Sequence, residues 1–152
     1  SLQIKTILNR VLPIKGFCYT DVHCDEFCSD VIEIRIASRK NARGHCSKCD
    51  KRGPTYDHLP ERSWKFIPLW AFPVFLVCSL RRIDCRDCGV HAEKVPWTSG
   101  KLRIADSFRL PLAHWARKLR WTETAESFYV SWTDVLNSIM HVVAYGLKRL
   151  SV

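Results

Sequence analysis

Two pairs of cysteines, Cys46-Ser-Lys-Cys49 and Cys85-Arg-Asp-Cys88, carry the clearest chemistry in this 152-residue chain, and 35 residues separate them. Two residues between cysteines let both thiolates of a tight knuckle face one ion. Two such knuckles complete the tetrahedral four-sulfur site that zinc prefers. Four protein ligands leave no position for water or substrate, so the ion is structural. Its binding free energy then stands in for the hydrophobic core that a small β-unit lacks. Lys48, Lys51, Arg52 and Arg86 flank the knuckles and favour the thiolate form. A pair of disulfides and an iron-only site are the alternatives for the same four residues.

The remaining candidates offer less. Cys18, His23, Cys24 and Cys28 follow a spacing that matches no usual knuckle. They read as free or buried thiols in an acidic loop, with a second metal left open. Cys78 sits in an apolar run and reads as core. His45 and His91 adjoin the knuckles and would serve as ligands only if a cysteine were displaced. His58 and His114 have no nucleophile to serve, and no His, Cys and Asp set stands outside the knuckles. No catalytic residue is therefore assigned, and an enzyme is the least favoured class.

The charge is basic, with 24 Lys and Arg against 15 Asp and Glu and a net charge of +9. A polyanion is the partner such a balance suits, nucleic acid before a membrane surface. The stretch 21–33 holds five acids and no base, whereas 35–65 holds nine bases against Asp50, Asp57 and Glu61. Arg39, Lys40, Arg43, Lys48, Lys51 and Arg52 in this second stretch are the candidate phosphate contacts. At 47% hydrophobic residues the chain is too apolar for a disordered tail. The longest apolar run, 67–77, contains two prolines and falls short of a membrane span. No secretory leader is read at the start, which makes the cytoplasm the expected compartment and metal the expected use of eight cysteines.

The elements that must position these groups divide near residue 100. Apolar residues at helical spacing predict a short helix over 4–12. Alternation predicts a strand at 31–36, and two further strands are expected at 63–69 and 74–83. Pro68 and Pro73 bracket their connection, a hairpin loop around Trp70, Ala71 and Phe72. A last strand is expected at 90–95. Beyond residue 105 the pattern is helical, with Leu112, Trp115, Ala116 and Leu119 as one stripe and Pro111 near that helix's start. Thr122 is the expected N-cap of a second helix. Ser131 caps a third, with Asp134 in capping-box position and Val135, Ile139, Val142, Val143 and Leu147 as its apolar stripe.

The last two helices and the turn at Tyr129 and Val130 have the dimensions of a helix-turn-helix, although the usual turn glycine is missing. Thr133, Asn137, Ser138 and His141 are read as the face offered to a major groove, with Asp134 beside them. Trp132 is expected to pack inward as the anchor of the motif. Three ordinary packed helices are the alternative.

The run Cys46-Ser-Lys-Cys49, Tyr56-Asp57, Arg62-Ser-Trp64, Arg81-Arg82, Cys85-Arg-Asp-Cys88-Gly89-Val90 and Val95-Pro96-Trp97 resembles the N-terminal zinc ribbon of ISL-three family transposases. Ser131-Trp132-Thr-Asp-Val135 and Ala144-Tyr145-Gly146-Leu147 are similar to that family's helix-turn-helix and the helix that leaves it. The resemblance implies Cys46, Cys49, Cys85 and Cys88 as ligands of one structural zinc. It also implies binding of double-stranded DNA at the terminal inverted repeats of an insertion sequence. In the family a following RNase H-like domain with three carboxylates performs the chemistry. The chain stops at Val152, about where that domain's first strand is expected, so DNA recombination itself is not expected of it. The acidic 18–28 segment is not a feature of the family.

The expected fold is α+β, a small zinc-ribbon β domain with an N-terminal helix over 1–104 followed by a three-helix, helix-turn-helix domain over 105–152. The expected function is sequence-specific DNA binding in a bacterial cytoplasm, associated with the nucleoid. A stand-alone regulator derived from a transposase and a protein-interaction zinc ribbon are the alternatives. A second copy of the chain and a full-length transposase are further candidate partners.

Overall fold

The computed structural model describes residues 3–24 and 30–150. The element order is α1 (Ile4–Val11), β1 (Phe17–Cys24), β2 (Ile32–Ser38), β3 (Thr55–Leu69), β4 (Phe72–Cys85), β5 (Gly89–Ala92), α2 (Asp106–Trp115), α3 (Trp121–Ser127) and α4 (Trp132–Leu150).

Most of the molecule is built on the β3–β4 hairpin. Strand β4 pairs antiparallel with β3 along one edge, from Ile83 opposite Thr55 to Phe72 opposite Leu69. Its other edge is shared end to end. The first half, Val74 to Cys78, pairs in parallel with Ile32 to Ile36 of β2, and the last residues, Arg82 to Cys85, pair antiparallel with β5. Strand β1 completes the sheet against β2. The hairpin turns through Trp70 and Ala71, both with positive φ, 49° and 64°. That is the pattern of a two-residue turn whose twist matches the strands.

Alternation puts Ile32, Ile34 and Ile36 of β2 on the same face as Val74, Leu76, Cys78 and Leu80 of β4, and all are buried. Helix α1 lays Leu8 over this face, and Trp97 closes it, edge-on to Phe17 at 4.9 Å and to Trp64 at 5.4 Å. Cys78 lies in this core as expected, and burial pushes its thiol up to about 12.

Three expectations change here. The acidic loop at 18–28 is in its described part the strand β1, with Phe17 and Tyr19 buried. A register shift between Tyr19 and Asp21 breaks the alternation that would have announced it. Pro111 stands in the middle of α2 rather than near its start. Helix α3 begins one residue before Thr122, and Arg120 is its N-cap; the Glu123 carboxylate accepts the Arg120 backbone N–H at 3.0 Å.

Helices α2 and α3 pack against α4 around Phe108, Leu112, Ala116, Ala125 and Val135. Lys65 of β3 ties this helical unit to the sheet. Its backbone N–H donates to Arg103 O, its carbonyl accepts from Ala105 N–H, and its ammonium meets Asp134 of α4 at 2.6 Å. None of the helices, among the described residues, is long and apolar enough to cross a membrane.

Candidate metal centre and nucleic-acid interface

The two knuckles are built alike. In the first, Cys46 N–H donates to Lys51 O and Asp50 N–H donates to Cys46 O, both at 2.9 Å, and the chain reverses through Asp50 at φ 62°. In the second, Cys85 pairs with Gly89, which turns at φ 78°. Each reversal thus falls one residue past the second cysteine, on a residue type that tolerates the left-handed region. Gly53 lets the first knuckle settle onto β4, since a Cβ there would lie 2.6 Å from Asp84 O.

The four sulfurs of Cys46, Cys49, Cys85 and Cys88 all lie within 4.8 Å of one another, with Cys49 and Cys85 at 3.4 Å. Zinc–sulfur bonds of about 2.3 Å in a tetrahedron require sulfurs about 3.8 Å apart, so the donor set fits the ion. Backbone N–H groups of Cys49 and Lys48 bring the Cys46 thiol down to about 7. Hydrogen bonding from the crowded sulfur of Cys49, with burial behind it, pushes Cys88 up to about 12. For Cys49 the Lys51 backbone N–H lowers the pKa, but Cys85 and burial outweigh it and the net direction is up. Four thiolates in one place repel, and a divalent cation is what relieves them. The flanking histidines are engaged elsewhere: His45 Nδ1 contacts Asp50 O at 2.9 Å and His91 Nε2 contacts Cys88 O at 2.7 Å. Of the 18–28 set, Cys28 lies outside the described residues. Cys18 and Cys24 stand at opposite ends of β1, about 20 Å apart at strand rise, too far to share an ion.

A buried ion pair backs the ribbon. Glu93 Oε2 accepts from Arg81 Nη2 at 2.7 Å and Nε at 3.0 Å, while Oε1 accepts the Arg81 backbone N–H at 2.8 Å. The backbone of Glu93 bridges to Cys46. Across the knuckles, Lys51 pairs with Asp87.

Between the ribbon and the β1–β2 end of the sheet lies a cleft of about 630 Å³, lined by Lys15, Arg39, Arg43, Arg52 and Lys94 among others. The structure therefore brings three of the expected phosphate contacts together and adds Lys15 and Lys94, which the sequence places far from them. Lys94 pairs with Asp50 at 3.0 Å, and Arg39 Nε donates to Phe17 O at 3.0 Å. Lys40 lines a neighbouring hollow with Arg39, and Lys48 is exposed on the first knuckle.

The expected groove face of α4 divides. Thr133 is exposed and Asn137 half-buried. Ser138 is fully buried and donates its hydroxyl to Asp134 O at 2.6 Å, and half-buried His141 contacts Arg109 Nη1 through Nδ1 at 3.1 Å. Ser138 belongs to the packed side with Val135 and does not share the open face, which carries Leu136 and Met140 beside Thr133 and Asn137; His141 lies one turn beyond Asn137, at the border where α4 meets Arg109. The capping box is as expected: Asp134 N–H donates to Ser131 Oγ at 3.1 Å and Ser131 N–H to Asp134 Oδ2 at 3.0 Å. Burial raises the Asp134 pKa, but Lys65 and Ser131 outweigh it and hold it below the usual carboxylate value. Trp132 does not pack inward. It is 48% exposed and leans on Trp121 with ring centroids 5.6 Å apart, while Val135 takes the buried position.

No curated protein and no solved structure matches the chain. Residues 42–88 match the family model for the zinc-finger of transposase IS204/IS1001/IS1096/IS1165. The matched segment spans all four clustered cysteines. Donor set and family together identify residues 42–88 as a zinc ribbon of the transposase type, built to hold one structural zinc ion.

Proposed function

We propose that the chain recognises double-stranded DNA in a sequence-specific way, as the DNA-binding part of a transposase, with the terminal inverted repeats of an insertion sequence as its target. The observation that carries this reading is the match of residues 42–88 to a transposase zinc-finger around four clustered cysteines. The cleft beside the ribbon supports it, since Arg39, Arg43 and Arg52 line it together and Lys40 adjoins it. Such a surface follows a phosphate backbone.

In this reading residues 1–104 hold the ribbon and sheet, and 105–152 act as a helix-turn-helix unit. Helix α3, the turn at Tyr129 (φ 56°, where a glycine is usual) and α4 form the motif. Thr133 and Asn137 are the residues of α4 that read bases, because they remain on its open face. No part of this machinery cuts or joins DNA. The protein works at the bacterial nucleoid.

The test is selection of bound fragments from random duplex DNA, followed by titration of variants on the enriched and on scrambled sequences. Asn137→Ala is expected to cost about 1–3 kcal/mol on the enriched site and little on scrambled DNA. Ser138→Ala should leave both affinities unchanged. Equal losses of Asn137→Ala on both duplexes, or none on either, would refute base reading. A zinc ribbon that docks a protein is the second reading, favoured by Met140, Val143 and Tyr145, each more than half exposed along α4. It predicts no enriched motif.

A further inference from the structure

Trp121 and Trp132 come from different helices, each the first residue of its own, and meet in the open with 36% and 48% of their surfaces exposed. Trp115, at the end of α2, is 41% exposed, and the Lys118 ammonium sits 5.5 Å from its ring centroid. Tryptophan carries more apolar surface than any other side chain, and soluble proteins rarely leave several exposed together without a use. Between Trp115 and Trp121 run Arg117, Lys118 and Arg120, all exposed. Two of the three nearby acids are already engaged. Glu123 holds the Arg120 backbone N–H, and Asp134 holds Lys65 and Ser131. Glu126 lies further along α3.

We propose that the tryptophans and cations of the α2–α3 connection form a second contact with nucleic acid, one that grips the sugar–phosphate backbone of duplex DNA beside the groove. Arg117, Lys118 and Arg120 take phosphates, and the indole faces of Trp121 and Trp132 lie against deoxyribose. The chemistry favours this occupant over a protein surface. Protein hot spots also use tryptophan and arginine, but three exposed cations standing together complement the charge of a polyanion. Aromatic faces interleaved with arginine and lysine suit a polyanion whose deoxyribose C–H groups offer apolar contact between its charges. The inference rests on the DNA-binding reading, because it places the backbone where α4 would already hold the duplex. It also gives Trp132 a reason to be outside.

The test uses the full, zinc-loaded chain and a fluorescently labelled random-sequence duplex of about 30 base pairs, titrated over a salt series. The triple variant Arg117→Gln, Lys118→Gln, Arg120→Gln should lower the slope of log affinity against log salt by nearly three. Trp132→Ala should weaken binding about tenfold, and Trp132→Phe, which keeps a ring, should recover most of it. Thermal melts and zinc content of each variant separate this from a loss of fold. If the wild-type chain binds the duplex and all three variants match it in affinity and slope, the inference is overturned and the function reading survives. A tighter grip on single strands than on duplex, lost in Trp132→Ala, would also overturn it, as would variants that change only the sedimentation of the protein. Failure of the wild-type chain to bind any duplex removes the function reading and this contact with it.

Discussion

Glu93 is the residue whose loss should be felt furthest from where it stands. Its side chain is 1% exposed and that of Arg81 is 11%, so the pair has given up water on both sides. Within it, three N–H groups of Arg81 converge on one carboxylate, and Arg81 Nη1 donates to Ala42 O at 2.7 Å. Glu93→Ala leaves a buried guanidinium with one carbonyl for company and an orphaned backbone N–H. Breaking a buried pair from one side costs about 3–5 kcal/mol. Against a whole-domain stability of about 5–15 kcal/mol, that is a large share. In a urea titration with a slope of about 2 kcal/mol per M, the midpoint should fall by about 2 M. Glu93→Gln keeps the shape and one good acceptor, and should lose about 2 kcal/mol. The double variant Arg81→Met, Glu93→Leu removes both charges and should return to within about 1 kcal/mol of wild type. Zinc must be in excess and metal content measured, since Glu93 bridges to Cys46 through its backbone. A midpoint shift of Glu93→Ala below about 0.5 M at unchanged slope would refute the reasoning. So would a double variant as unstable as the worse single one.

Three further outcomes follow from the same geometry. Purified protein should hold one zinc per chain, and competition titrations should show affinity rising about tenfold per pH unit for each proton released, because Cys49 and Cys88 are held protonated above their ordinary values; flat affinity between pH 6 and 8 would contradict the four-thiolate site. The Asp134 carboxyl is held below its unfolded value of 3.8, so its contribution is fully present above that value and is lost as pH falls through the folded one; Asp134→Asn should cost about 1 kcal/mol at pH 7 and flatten the acid limb of a stability–pH curve. Ala71→Gly relieves a left-handed alanine in a two-residue turn and should raise the thermal midpoint by a few degrees, whereas a lowered midpoint would mean the turn is not strained.

What could be read from the chain depended on how local its cause was. The knuckles were legible because two ligands three residues apart constrain each other, whatever the rest of the fold does. The β3–β4 hairpin was legible in its second half, where Ser63 to Leu69 alternates and prolines bracket the turn. Its first half, Thr55 to Arg62, was missed. It is a polar edge strand containing Pro60, and a register irregularity falls between His58 and Glu61. Strand β1 was hidden by its own irregularity and by acids that an edge strand tolerates. On α4 the period was right but the phase was not. Val135 was placed correctly in the core, yet Ser138 turned out to be buried as well, and His141 meets Arg109 of α2, a neighbour from about thirty residues away. Tryptophan at 132 looked like an anchor by size alone. Its position was decided by Trp121, which no spacing rule connects to it. The basic cleft was half legible: Arg39, Arg43 and Arg52 cluster in sequence, but Lys15 and Lys94 arrive through the sheet.

The shared edge of β4 has a consequence for the order in which the chain assembles. The β3–β4 hairpin needs only a two-residue reversal and can zip at once. The parallel partner β2 cannot, because the first knuckle and the whole of β3 lie between it and β4. Closing so long a loop before any contact rewards it makes such pairings slow. An ion that joins Cys46 and Cys49 to Cys85 and Cys88 removes most of that loop, leaving Ser38 only eight residues from a point pinned to the end of β4. On that count zinc would act as a template during folding as well as a brace afterwards, with the hairpin first, the metal second, β2 third and β1 last. In a cell short of zinc the hairpin would wait with the Val74–Cys78 edge unpaired, apolar and open to the same edge of another nascent chain, so that metal starvation would be answered first by aggregation.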